Sequence, residues 1–213
     1  MKLTNYKSAI ILPLKESFSS TDFGAVSIWV KHYLSNIKNS NDLVFCRKLN
    51  NNSNYLAKNV KPILVKQKFF TNSNYIKKIY IEIVRQNIDI IEIHNRPEYA
   101  LYILKNNPDL KINLIFHNDP NTLRGSNTKT LKLELLNKCN KIIFVSKWLK
   151  NRFFYDLQFN HKNNIEIIYN FIDKIKKFPK KEKKIIFSGK LNKSKGFEIF
   201  GKAIIRILNK FPD

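Results

Sequence analysis

Two histidines occupy matching places in this sequence, in Glu92-Ile-His94-Asn95-Arg96-Pro97-Glu98 and in Phe116-His117-Asn118-Asp119-Pro120. Each closes a short apolar run, 88–94 and 111–117, and each is followed by asparagine. An imidazole accepts or donates a hydrogen bond near neutral pH. A single strand-end histidine is more often structural. Two of them, with Arg96, Asp119 and Arg124 nearby in sequence, point to a polar binding site. A third element is the loop after the first apolar run, Leu14-Lys-Glu-Ser-Phe-Ser-Ser-Thr-Asp-Phe-Gly24. Small hydroxyl residues ending in glycine at a helix start make a cradle for an anion or a sugar hydroxyl.

Other chemistries lack their residues. Gly24 belongs to neither a Walker A nor a Gly-x-Gly-x-x-Gly pattern, so neither an NTPase nor a dinucleotide site follows. No third ligand at matching spacing and no Asp-x-Asp accompany the histidines, so no metal is expected. The serine-hydrolase elbow Gly-x-Ser-x-Gly is absent. Ser146 opens a helical pattern and reads as its N-cap.

These residues must be held by a repeating pattern of elements. Apolar β-rich runs at 8–14, 42–46, 62–65, 88–94, 111–117, 141–145 and 165–169 alternate with helical periodicity at 25–37, 75–84, 98–104, 129–136 and 146–157. Nearly continuous apolar strands separated by helices predict a doubly wound α/β domain, a parallel sheet covered on both faces. Ligands of such domains sit beyond the carboxyl ends of the strands, where Gly24, His94 and His117 fall. The pattern changes near 172–184, a basic, proline-interrupted stretch that reads as a linker. A strand at 185–188 and a helix from about 196 to 209 follow, one β-loop-α unit that cannot bury its own apolar face.

The formal net charge is +23, carried almost wholly by lysine. Scattered among asparagines and isoleucines, these lysines read as a compositional drift; the alternative is attraction to an anionic surface, membrane lipid or nucleic acid, and charge alone does not choose. Sequence-specific nucleic-acid recognition leans on arginine and on motifs missing here, so no nucleic-acid partner is expected. No run approaches the ~20 apolar residues of a membrane span. Two cysteines far apart exclude a disulfide framework and argue for a reducing compartment, so the expected location is cytoplasmic, peripheral at the inner face of the plasma membrane.

Several stretches together resemble the retaining glycosyltransferases of family 4, which have the two-domain GT-B fold. They are Leu12-Pro-Leu-Lys-Glu-Ser-Phe with Gly24-Ala-Val-Ser-Ile-Trp, Ile91-Glu-Ile-His-Asn-Arg-Pro-Glu-Tyr-Ala, Ile115-Phe-His-Asn-Asp-Pro with Arg124-Gly, Ile143-Phe-Val-Ser-Lys-Trp-Leu, Ile168-Tyr-Asn-Phe-Ile-Asp, and Phe187-Ser-Gly-Lys-Leu-Asn-Lys-Ser-Lys-Gly. The order is the family's, and the stretches cover nearly the whole chain. The closest flavour is that of bacterial enzymes building lipopolysaccharide or other surface glycans.

The resemblance implies a Rossmann-like acceptor-side domain over 1–174, a linker over 175–184, and the first unit of an incomplete donor-binding domain over 185–213. It implies metal-independent transfer of a sugar from a nucleotide-sugar to a glycan or lipid-linked acceptor, with no other cofactor. His117 matches the histidine that contacts the transferred sugar and is the catalytic candidate. Gly24, His94, Arg96, Glu98, Asn118, Asp119 and Arg124 would line the cleft and its acceptor side, and Lys190 and Lys195 would hold the donor diphosphate. Lys190 stands where the family has arginine, and Asn170-Phe171 where it has Asn-Gly. The family's Glu-x7-Glu element would lie beyond Asp213, so the 213-residue chain alone is expected to transfer sugar weakly or not at all, or to depend on a separate chain for the other half. The alternative is a non-catalytic basic module acting at a membrane surface or on nucleic acid.

Overall fold

In a computed structural model of the chain, the described residues are 7–21, 23–37, 42–48, 54–65, 71–157, 163–171, 180, 184–189, 191 and 193–211. Their strands are β1 (Ser8–Ile11), β2 (Leu43–Arg47), β3 (Val60–Ile63), β4 (Ile90–His94), β5 (Lys111–Phe116), β6 (Lys141–Phe144) and β7 (Ile165–Ile167). All pair in parallel, in the order β3-β2-β1-β4-β5-β6-β7. The order reverses between β1 and β4, which is the switch point of a doubly wound sheet and the place where such folds bind ligands.

The helices are α1 (Ala25–Asn36), α2 (Asn72–Arg85), α3 (Pro97–Asn106), α4 (Lys129–Lys138), α5 (Lys147–Phe154) and α6 (Phe197–Lys210). Their starts are written in the sequence. Thr71 Oγ1 accepts from Asn74 N (3.2 Å), Thr128 Oγ1 from Leu131 N (3.4 Å), and Ser146 Oγ from Leu149 N (3.2 Å), the N-cap role expected of Ser146. Pro97 opens α3, where a missing N–H costs nothing.

Consecutive residues in the strands are buried, among them Ile10 with Ile11 and Ile142 with Ile143, because helices cover both faces. Phe116 and Phe144 stack at 5.4 Å between ring centres, and Phe153 of α5 tilts against both. Two of the strands that differ in extent from expectation do so at prolines. The first stops at Ile11 because the chain turns at Pro13, whose carbonyl accepts from Glu16 N at 2.9 Å. The third begins earlier, at Val60, and tolerates Pro62 because β3 is an edge strand.

The chain divides into two compact units, Met1–Ile172 and Asp173–Asp213. In the second, a 3-10 turn (Lys193–Lys195) leads through Gly196, at φ +72°, into α6. The strand expected at 185–188 does not form: these residues join no sheet, and Ile185 and Ile186 are exposed. A strand is a partnership of N–H and C=O rows, and apolar sequence without a partner row makes none. The expected linker falls outside the described residues except for Lys180 and Lys184, and Lys190 also falls outside them. Among the described residues, no helix is long and apolar enough to cross a membrane.

Candidate functional site

The two strand-end histidines meet. His94 ends β4 and His117 follows β5, and the rings stack at 5.2 Å with 22° between planes. His94 Nδ1 lies 2.9 Å from His117 Nε2, and His94 Nε2 lies 2.8 Å from Glu92 Oε1. Glu92 and His94 are two residues apart on one strand and therefore project from the same face. That spacing is legible in the sequence, whereas its reach to His117 is not.

Asn95 makes the meeting possible. It adopts φ +53°, in the left-handed region that asparagine visits more readily than most residues. Its N–H donates to Ile115 O (2.9 Å), and its Oδ1 accepts from His117 N (2.7 Å) and Asn118 N (3.0 Å). The loop after β5 is thereby pinned to the end of β4.

Trp29 of α1 closes the histidines from the side. Its ring meets His94 edge-on at 5.2 Å and His117 at 5.7 Å, and stacks on Tyr33 at 5.5 Å. Its Nε1 is buried with no partner among the described residues. Phe171, where the family pattern has glycine, packs edge-on to Trp29 at 5.8 Å and lies 6.2 Å from His32. Only the fold brings Trp29 and Phe171 here.

Burial, and after it the neighbouring His94, lowers the His117 pKa from its ordinary 6.5 to about 3, so its imidazole is neutral near pH 7. The unfolded chain therefore binds a proton between those values that the folded chain does not. The stabilisation is complete above about pH 6.5 and is lost as pH falls toward 3, at up to ~1.4 kcal/mol per pH unit. The melting temperature should fall more steeply on acidification in the parent than in His117→Gln. Parallel Tm–pH curves for the two would refute this.

Gly24 caps α1 without a side chain, and the Glu16 carboxylate lies against it: a Cβ on Gly24 would stand 2.6 Å from Glu16 Cδ. Glu16 Oε2 also accepts from Ser27 Oγ at 3.2 Å. A carboxylate at a helix N-terminus is favourable, and here the chain provides its own.

The remaining cleft candidates form two groups. Asp119 is bound into its loop. Its Oδ1 accepts from Asn121 N (3.0 Å), and its Oδ2 lies 3.0 and 2.9 Å from two nitrogens of Arg152. Burial pushes its carboxyl up, but the Arg152 and Asn121 hydrogen bonds and the Arg152 charge hold it below the usual range. Asn118 beside it is exposed.

Glu98 and Arg124 instead line a cavity of about 160 Å³ with Asn72, Tyr99 and Tyr102. Asn72 Nδ2 donates to Glu98 Oε1 (3.0 Å), and Tyr99 OH donates to Asn72 Oδ1 (2.8 Å). Burial raises the Glu98 pKa despite opposing contributions from its own N–H, Arg96, Arg124 and Asn72. Arg96 Nη1 donates to Asn95 O at 2.7 Å, while its Nε is buried without a partner among the described residues. Lys195 is exposed in the second unit. Both cysteines are buried, which pushes their thiols up to about 12. Among the described residues no three His, Cys, Asp or Glu side chains are grouped to hold a metal ion.

No family model matches the chain, and no curated protein matches it in sequence. Among solved structures it is similar to HepE (Alr3699) of Anabaena in three complexes. With UDP bound, the TM-score is 0.51 at 12% identity, over 78% of this chain and 44% of that one. With UDP and glucose it is 0.54 at 12%, over 79% and 45%. With UDP-glucose it is 0.50 at 12%, over 79% and 45%. The chain thus spans less than half the length of these structures, and at this identity the likeness is one of fold. The expected doubly wound, Rossmann-like parallel sheet is the one observed, and it is the α/β fold of GT-B proteins.

Proposed function

We propose that this chain is the acceptor-side part of a retaining family 4 glycosyltransferase, moving a sugar from a nucleotide-sugar to a glycan or lipid-linked acceptor in surface-polysaccharide or lipopolysaccharide synthesis. The observation that carries this reading is the contact of His94 with His117 beside the switch point, walled by Trp29. It is supported by likeness of fold to a protein solved with UDP and glucose bound. In this reading His117 touches the transferred sugar, and the cavity between Glu98 and Arg124 receives part of the acceptor. Lys190 and Lys195 and helix N-termini, not a metal, stabilise the leaving diphosphate. The lysine excess and the exposed apolar face of α6 suit a cytoplasmic protein held at an anionic membrane surface.

Trp29 supplies the test. With exposed Trp148 replaced by phenylalanine, the emission of Trp29 reports on the histidine pair. UDP-glucose or a panel of simple saccharides is expected to change this emission and to raise Tm, and His117→Ala should abolish both responses. The reading fails if no sugar or nucleotide-sugar changes either signal, and duplex DNA binding with a steep salt dependence would then favour a nucleic-acid module.

A further inference from the structure

A histidine whose two nitrogens differ in protonation chooses its ligands, and the three-residue line Glu92–His94–His117 decides which nitrogen of His117 carries the proton. An ionised glutamate only accepts hydrogen bonds. Glu92 Oε1, 2.8 Å from His94 Nε2, therefore places the proton on Nε2 and leaves Nδ1 of a neutral His94 with a lone pair. That lone pair is 2.9 Å from His117 Nε2, which must then be the donor. The consequence reaches the outermost atom: His117 Nδ1 has no proton and no partner among the described residues.

The surroundings keep this order. His94 is fully buried, so neither of its nitrogens can turn to water instead. Glu92 is nearly buried but lines a cavity of about 150 Å³ with Ser8, Tyr33, Asp42 and Asn113. That cavity opens the Glu92 carboxylate to water. Trp29 packs edge-on against both imidazoles and opposes rotation of either ring.

We propose that Glu92 and His94 are positioning residues that lock His117 in its Nε2–H tautomer, so that Nδ1 meets the ligand as an acceptor and selects a hydroxyl over a phosphate or carboxylate oxygen. A bare oxygen anion facing a lone pair gains no hydrogen bond and is repelled, whereas a hydroxyl donates. The tautomer lock stands on the geometry of Glu92, His94 and His117 with His94 uncharged. Its use to select a sugar hydroxyl rests on the function proposed above.

Long-range proton–nitrogen correlation spectra of the 213-residue chain labelled with ¹⁵N-histidine read the tautomers directly, without any ligand. Both His94 and His117 are expected to show protonated Nε2 and bare Nδ1. Glu92→Gln retains an acceptor oxygen and should preserve the pattern, while Glu92→Leu should lose it at both rings. A proton on His117 Nδ1 in the parent overturns the lock, as does an unchanged pattern in Glu92→Leu. Should Glu92→Leu fail to fold, the parent and Glu92→Gln spectra decide. With the lock present, methyl glucoside is expected to shift the His117 Nδ1 resonance and inorganic phosphate to leave it in place. The reverse response overturns hydroxyl selection and leaves the lock standing. A missing tautomer lock alongside a Trp29 response to sugar would overturn this inference but not the proposed function.

Discussion

Asn95→Ala should destabilise the first unit by about 3 kcal/mol, measured by urea or thermal unfolding. Three contributions add. The substitution leaves His117 N and Asn118 N without their acceptor. Each stranded donor costs ~1 kcal/mol at these half-buried to exposed positions, the low end of the range for unmade hydrogen bonds. Alanine at φ +53° adds ~1 kcal/mol, because it meets the same Cβ–carbonyl crowding without the local side-chain hydrogen bonds that let asparagine adopt this conformation. Against the 5–15 kcal/mol that holds a typical domain, this is a large share. Asn95→Gly separates the contributions: it relieves the backbone but still strands both donors, so it should recover only about a third of the loss. Since Asn95 sets where His117 stands, the Trp29 emission should also change while the protein is still folded. A melting curve for Asn95→Ala superimposable on the parent would remove Asn95 from its assigned role.

Gly125→Ala should cost at least as much, about 4 kcal/mol, for an independent reason. Gly125 sits at φ +93°, where an L side chain is strained by ~1–3 kcal/mol. A Cβ there would also stand 2.8 Å from Glu98 Cα and 2.9 Å from Pro97 C, the backbone of the first turn of α3. Backbone cannot rotate aside like a flexible side chain, so α3 must shift, and overpacking of this sort adds ~1–3 kcal/mol. The shift would carry Glu98 away from Asn72 and deform the cavity that Arg124 lines. Gly24→Ala is the natural contrast: its new Cβ meets only the Glu16 side chain, which can swing out, so its Tm should fall far less. Equal losses for the two glycines would show that the approach of Gly125 to α3 is not the cause.

The sequence by itself determined the sheet and its order of elements, because apolar runs and helical periodicity are local patterns that any buried parallel strand or amphipathic helix must display. It also placed Gly24, His94 and His117 at strand ends, and from topology alone they had to share one edge. Ser146 was legible as a cap because capping is decided within three residues.

Only the tertiary structure decided what those residues do to one another. That His94 touches His117, that Glu92 orders both rings, and that Asn95 pins the loop depend on strand register, which pairs His94 with Ile115. Register is a property of two strands together. Asp119 illustrates the same limit: Arg152, thirty-three residues later, binds its carboxylate, and no local pattern shows that partner. The absent strand at 185–188 is the converse case. Its apolar sequence satisfied the local pattern, but a ladder needs a second row of N–H and C=O groups, and none of the described residues supplies one.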